Sequence, residues 1–290
     1  MGRNLEGRVV AITGASSGIG AATAIACARR GVRLGLLARR EDRLARVAEA
    51  VRRAGGEAEV VAADVREPES LERLATLATR RWGRLDAMVA NAGFGIAAPI
   101  GRTPPAEARE IFDVNVLGTI WAIRSAWPIF ERQRAGHFVV VSSSAAFHGL
   151  PALALYSATK AAQMNLAEGL RVEAREIGVE VTVVYPVVTD TEFRSAMRDH
   201  LGSRQPGSGI RSPRQSADQV AEAIVDALRR PRFAVYPYRR ARLLPWLEAL
   251  SPTLTERLRG YRRSYRFRLA GAGGGAETHT DARRMDGQRT

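Results

Sequence analysis

The chain has 290 residues, of which 46% are hydrophobic and 26% charged, and this is enough to bury one large core. Its 44 basic and 30 acidic residues give a net charge of +14, and Lys160 is the only lysine among the basic ones. The single cysteine, Cys27, excludes an internal disulfide framework, and the four histidines are too dispersed to predict a metal site. No apolar run reaches the roughly 18 residues of a membrane span, and residues 1–6 show no signal-peptide pattern, so we expect a cytoplasmic protein.

Short β-branched runs alternate with helical stretches from residue 8 to residue 236. Amphipathic spacing predicts helices at 41–54 and 67–82. The alternation predicts a doubly wound, Rossmann-type α/β domain over residues 1–236, with three layers around a seven-stranded parallel sheet. Seven runs are apolar enough for parallel strands that are covered on both faces: 8–13, 32–38, 59–65, 85–91, 137–142, 179–185 and 233–236.

Two regions depart from this alternation. Residues 192–215 are rich in glycine and proline, which predicts a long mobile loop of the kind that often forms a lid. Residues 231–290 carry 13 arginines and five acidic residues. Within them we predict a basic amphipathic helical extension at 237–269 and a disordered tail at 270–290.

A glycine-rich turn from Thr13 to Gly20 follows the first predicted strand and opens the first predicted helix. Glycines allow a tight turn and the close approach of a pyrophosphate, whose charge then lies at the helix N-terminus. The spacing is G-x-x-x-G-x-G, which differs from the general dinucleotide fingerprint G-x-G-x-x-G. At this position in an α/β chain, nucleotide binding is favoured over an ordinary turn.

The second predicted strand ends in Ala38, Arg39 and Arg40. A carboxylate at this point would bind the ribose 2′-hydroxyl and repel a 2′-phosphate, whereas an arginine favours the phosphate. We therefore predict NADP(H) in preference to NAD(H). The alternative is a solvated arginine pair in an arginine-rich chain.

Tyr156 and Lys160 are four residues apart in a predicted helix at 155–177, so their side chains share one face. An ammonium group beside a phenol lowers the pKa of the phenol, which makes tyrosine a usable general acid or base. Ser143 lies thirteen residues before Tyr156, at the end of the fifth predicted strand. Because Lys160 is the only lysine, its place beside Tyr156 favours a specific role for the ammonium group.

Three further motifs lie between these in the chain: Asp64 after the third predicted strand, Asn91 to Gly93 after the fourth, and Asn115 in a long predicted helix. Together the motifs resemble the short-chain dehydrogenase/reductase family over residues 5–236. The resemblance implies an oxidoreductase that interconverts a secondary alcohol and a ketone or aldehyde. It also implies that Tyr156 exchanges the proton, Lys160 holds the nicotinamide ribose, Ser143 positions the substrate oxygen and Asn115 holds a water of a proton relay. Ser142 and Ser144 are rivals for the serine role. The residues that carry the resemblance, in the order of the family's motifs, are Thr13 to Gly20, Asp64, Asn91, Ala92, Gly93, Asn115, Ser143, Tyr156 and Lys160.

The resemblance further implies a set of cofactor contacts at the glycine-rich turn, at the strand ends and after the sixth strand. Val187 stands where the family usually has glycine, which adds bulk beside the cavity. The implied contacts are Gly14, Ser16, Ser17, Gly18, Ile19, Gly20, Arg39, Arg40, Asp64, Val65, Asn91, Ala92, Gly93, Tyr156, Lys160, Pro186, Val188 and Thr191.

The positions that the family pattern places at the substrate are mostly apolar, which predicts an apolar alcohol or carbonyl compound. We expect contacts from Ser143, Phe94, Phe147 and Val187. Further candidates by position are His148, Leu150, Leu153, Tyr185, Val188 and Phe193.

The C-terminal extension contains one apolar stripe, which is predicted to break at Ser251-Pro252. Packing over the pocket or a sister subunit is the favoured interpretation, ahead of peripheral membrane contact through residues 239–268, where nine arginines lie. No recognised nucleic-acid module is present, so we expect no nucleic-acid partner. The family resemblance implies a homo-oligomer. A functional alternative is a cofactor-binding, membrane-surface-associated regulatory protein with little catalytic activity. The stripe comprises Leu243, Leu247, Leu250, Leu254, Leu258, Tyr261 and Tyr265.

Overall fold

A computed structural model describes residues 2–200 and 213–251 of the chain. Its strands are β1 (Val9–Thr13), β2 (Arg33–Ala38), β3 (Glu57–Ala62), β4 (Ala87–Ala90), β5 (Ile96–Ala97), β6 (Gly136–Val141), β7 (Val179–Val184), β8 (Val188–Asp190), β9 (Arg198–Asp199), β10 (Arg214–Ser216) and β11 (Ala234–Val235). Its α-helices are α1 (Gly18–Ala28), α2 (Glu41–Arg53), α3 (Pro68–Trp82), α4 (Pro105–Phe112), α5 (Gly118–Gln133), α6 (Ala154–Arg175), α7 (Ala217–Arg229) and α8 (Leu244–Leu250). Short 3-10 helices lie at Ile100–Arg102, Ser144–Phe147 and Arg239–Leu243, and a π-helical turn lies at Asp113–Leu117.

The central sheet has seven parallel strands in the order β11-β7-β6-β4-β1-β2-β3. Each of these strands overlaps one of the seven apolar runs in the sequence. The predicted doubly wound, Rossmann-type architecture is therefore confirmed.

Two apolar clusters fill the space on either side of the sheet, and strand β1 contributes to both. Val10 and Ile12 face the cluster that includes side chains of α1, α2 and α7. Val9 and Ala11 face the cluster that includes side chains of α3, α5 and α6. All four side chains are buried, so these four successive positions are apolar rather than only alternate ones. This arrangement gives the three layers of the fold.

The strand order reverses at β1, because β2 lies on one side of it and β4 on the other. The connections that follow β1 and β4 therefore leave the sheet in opposite directions. In open α/β sheets this divergence forms a crevice at the carboxyl ends of the strands, where ligands bind. The topology thus places the Thr13–Gly20 turn and the Asn91–Gly93 segment beside each other.

The region at 192–215 contains more regular structure than the predicted loop. Strand β9 pairs in parallel with β5, and β10 pairs in parallel with β8. These pairings join residues about a hundred and about 26 positions apart, so local sequence patterns give no signal for them. Residues 201–212 of the predicted loop lie outside the described part of the chain.

The beginning of the predicted extension is helical. A 3-10 helix at Arg239–Leu243 leads into α8, and this helix ends at Leu250, next to the break that Ser251-Pro252 predicts. The rest of the extension and the predicted tail, residues 252–290, lie outside the described residues. Across 2–200 and 213–251, the structure contains no helix with the length and apolar character of a membrane span.

His137 in β6 is a buried titratable side chain. Among the described residues, its hydrogen-bond partner is a hydroxyl group rather than a charged group. Its Nε2 lies 2.8 Å from Thr182 Oγ1, and that hydroxyl donates to the main-chain oxygen of Arg232. Because the hydroxyl proton is already used, Nε2–H is the donor to Thr182. Burial lowers the pKa of His137 to about 3, so the folded protein holds it as a neutral imidazole.

This neutral histidine predicts a loss of stability in mild acid. The pKa is about 6.5 in the unfolded chain, so the unfolded state binds one more proton than the folded state between that value and the folded pKa. We expect the histidine to lower the free energy of unfolding by about 2 kcal/mol between pH 7.5 and pH 5. Urea denaturation of wild type and His137→Gln at both pH values measures the difference.

The control is His200→Gln, which replaces an exposed histidine. We expect His137→Gln to reduce the wild-type dependence on pH more than His200→Gln does. Equal pH dependence in all three proteins would contradict the assignment of His137.

Candidate active site

The glycine-rich turn between β1 and α1 is closed so tightly that a side chain would be strained or would clash at its glycine positions. Gly14 and Gly18 have φ angles of +65° and +55°, in the left-handed region that favours glycine. A Cβ atom on Gly20 would lie 2.4 Å from the main-chain oxygen of Gly14. The turn therefore presents main-chain atoms and the N-terminus of α1 to the crevice, as a pyrophosphate site requires.

Asn91, directly after β4, braces this turn from the neighbouring strand. Its Nδ2 donates to the main-chain oxygen of Thr13 at 2.9 Å and to that of Gly14 at 3.3 Å. The Thr13 hydroxyl in turn accepts from the main-chain N–H groups of Asn91 and Ala92. The predicted cofactor contacts at Asn91 and Ala92 are thus tied to the turn by side-chain hydrogen bonds.

A cavity of about 1080 Å³ lies at the carboxyl ends of the strands. Of the eighteen predicted cofactor contacts, seventeen line it, and the exception is Gly20, which is packed behind Gly14. The cavity has room for a nicotinamide dinucleotide, and the main-chain atoms that the glycine-rich turn presents to it fit the pyrophosphate of such a cofactor. Of the predicted substrate residues, Ser143, Phe94 and Val187 line the cavity.

Ser143, Tyr156 and Lys160 meet at one end of the cavity, where the structure brings together the carboxyl end of β6 and the first turns of α6. The Ser143 hydroxyl faces the Tyr156 phenol and favours its ionised form. Lys160 Nζ lies over the tyrosine ring, 5.7 Å from its centroid. Ser142 Oγ instead donates to the main-chain oxygen of Lys160 at 2.8 Å, so this rival serine is used within the protein.

Burial dominates the titration of the two catalytic candidates on α6. It raises the pKa of Tyr156 to about 12, against a smaller opposite effect of the Ser143 hydroxyl. It lowers the pKa of Lys160 to about 7. In this structure the phenol pKa is therefore raised, whereas the sequence predicted that the lysine lowers it. At neutral pH Tyr156 is protonated and can donate a proton.

Asn115 lies in the π-helical turn between α4 and α5 rather than in a continuous α-helix. Its side chain is buried and is used to hold Phe94: Oδ1 accepts from the Phe94 N–H and Nδ2 donates to the Phe94 main-chain oxygen, both at 3.0 Å. The Asn115 main-chain oxygen accepts from Thr119 Oγ1 and Gln163 Nε2, each at 2.8 Å. The water relay that the family resemblance implies at Asn115 stays a prediction.

Gln163 is a buried polar residue beside the site. It is not among the site residues that the sequence predicts. Its Oε1 accepts a 2.8 Å hydrogen bond from Lys160 Nζ. A signal was present, since Gln163 follows Lys160 by three positions and Tyr156 by seven, and these spacings share one helix face. A glutamine on a helix face is usually solvated, so its spacing alone did not single it out.

The opposite end of the cavity is basic. Arg40 Nη2 donates to Ser17 Oγ at 2.8 Å and to Ser16 Oγ at 3.3 Å, and Arg40 Nη1 lies 3.5 Å from a Glu192 oxygen. Arg39 is more exposed, with Nη1 3.8 Å from Asp64 Oδ2. Two guanidinium groups and two hydroxyls therefore converge at the carboxyl end of β2.

Burial disfavours the Asp64 carboxylate in this region, but hydrogen bonds from the side chain and main chain of Arg66 outweigh that effect. The pKa of Asp64 is consequently below its usual range. Asp64 is therefore ionised at neutral pH and attracts Arg39 to the rim of the cavity.

The wall near Tyr156 is apolar, as the sequence predicted. The Phe193 ring lies 5.5 Å from the Tyr156 ring, between centroids, and Met197 and Phe193 both close over Gly95. Met197 was not among the predicted contacts, because β9 brings it to the site. Other predicted residues that line the cavity here are Leu150, Leu153 and Val188.

Phe147 is the predicted substrate contact that the structure places elsewhere. Its ring packs against Tyr185 and Tyr236, with centroid distances of 4.7 Å and 6.2 Å. It is absent from the residues that line the cavity within the described part of the chain, as are His148 and Tyr185. The 3-10 helix at Ser144–Phe147 rotates Phe147 into this aromatic cluster, and sequence spacing does not show that rotation.

Comparison with known proteins identifies the family to which the chain belongs. The sequence model of a family described as short chain dehydrogenase matches residues 8–202. An uncharacterized oxidoreductase of Listeria innocua is 32% identical over 229 residues, which cover 78% of this chain and 92% of that protein. The 11-beta-hydroxysteroid dehydrogenase-like 4A of Arabidopsis thaliana is 36% identical over 253 residues, covering 86% and 83% of the two chains. The chain therefore belongs to the short-chain dehydrogenase family, whose members are oxidoreductases.

Solved structures show the same fold with nicotinamide cofactors. A short-chain dehydrogenase/reductase from Burkholderia phymatum in complex with NAD has a TM-score of 0.78 at 28% identity, covering 87% of this chain and 96% of that one. An alcohol dehydrogenase from Thermococcus sibiricus complexed with 5-hydroxy-NADP has a TM-score of 0.69 at 29% identity, with coverage of 79% and 95%. Similar structures thus hold NAD in one case and an NADP derivative in the other, and both support a nicotinamide cofactor for this chain.

Proposed function

We propose that this oxidoreductase uses NADP(H) to interconvert a secondary alcohol and a ketone or aldehyde on an apolar substrate. The observation that carries the proposal is the meeting of Ser143, Tyr156 and Lys160 at one end of a dinucleotide-sized cavity. A cofactor-binding regulatory protein with little activity, the alternative, is not favoured, because such a protein does not need these three groups in the lining of one cavity.

The side chains perform the proton transfer in this proposal. Ser143 hydrogen-bonds the substrate oxygen and orients it toward the Tyr156 phenol. In carbonyl reduction the phenol donates its proton to that oxygen, and in alcohol oxidation the phenolate accepts the proton back. A bound nicotinamide supplies or removes the hydride at the substrate carbon. Phe193 and Met197 exclude water from this end of the cavity.

Lys160 has two roles in the proposal, which are to hold the nicotinamide ribose hydroxyls and to favour the ionised phenol. The Nζ atom is buried and lies over the Tyr156 ring. A compact ammonium group suits this narrow place better than the planar fork of arginine. This explains why the one lysine of an arginine-rich chain lies here.

The preference for NADP(H) rests on the basic end of the cavity. Arg39, Arg40, Ser16 and Ser17 supply two positive charges and two hydroxyl donors, which suit a ribose 2′-phosphate. The corresponding strand end carries no carboxylate that would bind a free 2′-hydroxyl.

An NADPH-oxidation screen over ketones and aldehydes of increasing apolar size tests the activity. For the best substrate, we expect Tyr156→Phe to lower kcat by about 10²- to 10⁴-fold, because the proton donor is lost while the ring remains. The measurement is steady-state turnover at pH 7. Tyr238→Phe, which removes a phenol away from this cavity, is the matched control. Turnover of Tyr156→Phe at the wild-type rate would show that another group transfers the proton.

Cofactor preference is tested at the basic end. Replacing both arginines, as in Arg39→Ala/Arg40→Ala, removes the charged partners of a 2′-phosphate. We expect kcat/KM for NADPH to fall roughly 10- to 100-fold, since a hydrogen bond to a charged group contributes about 1.5–3 kcal/mol. The value for NADH should change little. Arg46→Ala, on the exposed face of α2, is the control. The NADP(H) proposal fails if wild type uses NADH as efficiently as NADPH.

Helix α8 supports a second proposal, which is peripheral contact of a cytoplasmic protein with an anionic membrane through residues 239–268. Leu243, Trp246, Leu247 and Leu250 are all exposed, with Trp246 at 72% and Leu250 at 81%. Arginines of the preceding 3-10 helix flank this apolar face. An exposed leucine and tryptophan face beside arginines suits an anionic bilayer surface. Packing against a sister subunit in the proposed homo-oligomer is the competing arrangement.

Vesicle flotation separates these arrangements. We expect the full-length protein to float with phosphatidylglycerol vesicles at low salt and Trp246→Glu/Leu250→Glu to remain unbound, because the charges oppose burial of the apolar face. Ile100→Glu, which changes an exposed apolar residue outside the extension, serves as the control. Flotation that is the same for all three proteins removes membrane contact through the extension and leaves packing over the pocket or against a sister subunit.

A further inference from the structure

The Gln163 side-chain amide lies between the catalytic lysine and the π-helical turn. We infer that Gln163 is a positioning residue that holds the Lys160 ammonium group in place and keeps it charged, an inference that rests on the proposed function. Lys160 Nζ donates to Gln163 Oε1 at 2.8 Å and to the Val141 main-chain oxygen at 3.0 Å. Both side chains are buried, with Gln163 at 0% exposure. These two oxygens hold the ammonium group from β6 and from α6.

The hydrogen bonds allow the Gln163 amide only one orientation. An ammonium group has donors and no acceptor, so the atom that faces Lys160 must be the carbonyl oxygen. Nε2 then donates to the Asn115 main-chain oxygen and to Thr119 Oγ1, both at 2.8 Å. Rotation of the amide would place its NH₂ group against the ammonium group and its oxygen against another carbonyl. The amide is therefore held at both ends.

This amide joins Lys160 to the segment that positions Phe94. Asn115 and Thr119 lie in and directly after the π-helical turn, and the Asn115 side chain holds the Phe94 backbone at the cavity wall. A π-helical turn places main-chain groups outside the regular α-helical ladder, and such turns are frequent at functional sites. Here the Asn115 main-chain oxygen is available to Gln163.

The groups around Lys160 show why a neutral acceptor matters. Tyr156 is the titratable side chain that faces it among the described residues, while β6, the Asn91–Gly93 segment, the π-helical turn and α5 present uncharged groups. Burial lowers the Lys160 pKa, and within residues 2–200 and 213–251 no carboxylate opposes that effect. Hydrogen bonds to the charged form favour it, so the Gln163 oxygen contributes directly to retention of the charge.

The single lysine makes this inference measurable without turnover. Labelling with [¹³Cε]-lysine gives one resonance, whose titration reports the Lys160 pKa. In wild type we expect a midpoint near 7. Gln163→Met has similar length but no acceptor, so the midpoint should fall by about one pH unit. Gln163→Glu adds a carboxylate facing Nζ, so its midpoint should rise above wild type.

The matched control is Gln133→Met, which removes a glutamine that is bonded to the Leu85 backbone outside the cavity. We expect this control to keep the wild-type midpoint. The opposite shifts of the two Gln163 variants distinguish a role on the ammonium group from a loss of packing, and Gln163→Glu decides if Gln163→Met does not fold. Midpoints within 0.3 units of wild type in both would overturn the inference.

Turnover adds a second readout. With a pKa near 7 in wild type and near 6 in Gln163→Met, the charged fraction of Lys160 differs less than twofold at pH 6 and about ninefold at pH 8. We expect the wild-type to variant ratio of kcat to grow accordingly. A constant ratio across this range would contradict a charge effect. If no substrate turns over even in wild type, the proposed function fails, while the lysine titration still tests Gln163.

Discussion

The Lys160 ammonium group carries a positive charge into the interior, where few atoms can stabilise it. It is held by the Val141 main-chain oxygen at the end of β6 and by the Gln163 side-chain oxygen on α6. A buried charge without such partners would be neutralised, because burial in a poorly polarisable interior disfavours the charged form. The end of the cavity that holds Tyr156 is therefore arranged around this requirement. The ammonium nitrogen lies over the Tyr156 ring and donates to the end of β6, and Gln163 links it to the π-helical turn.

The parallel sheet makes this arrangement possible. Strands β1, β4 and β6 end at the same edge, so the glycine-rich turn, the Asn91–Gly93 segment and Ser143 emerge next to one another. Hydrogen bonds between neighbouring strand ends then fix the conformation of these segments. Asn91, for example, donates to the main-chain oxygens of Thr13 and Gly14. The cavity consequently has a basic end at the terminus of β2 and an apolar end at Tyr156. The basic end suits the phosphorylated part of a cofactor, and the apolar end suits an apolar substrate.

Much of the fold could be predicted because its signals are local. Short runs dominated by apolar residues mark the strands of the sheet, and the seven of them recur as β1, β2, β3, β4, β6, β7 and β11. The i, i+4 spacing of Tyr156 and Lys160 needs only a helix to bring them together. Phe147 does not line the cavity within the described residues, because a 3-10 helix turns its ring toward Tyr185. Met197 was missed because β9 reaches the site by pairing with a distant strand, β5.

By itself, the sequence determined the architecture, the place of the glycine-rich turn and the shared helix face of Tyr156 and Lys160, because these depend on periodicity and spacing along one chain. Ser143 was selected among its neighbouring serines by the family resemblance alone. Only the tertiary structure decided how the buried polar groups are paired. Gln163 gains its partners at Asn115 and Thr119, because α6 packs against the π-helical turn and the start of α5 and brings these polar atoms within 2.8 Å. A hydrogen bond between residues 48 positions apart leaves no periodic trace in the sequence, since it depends on where two helices meet.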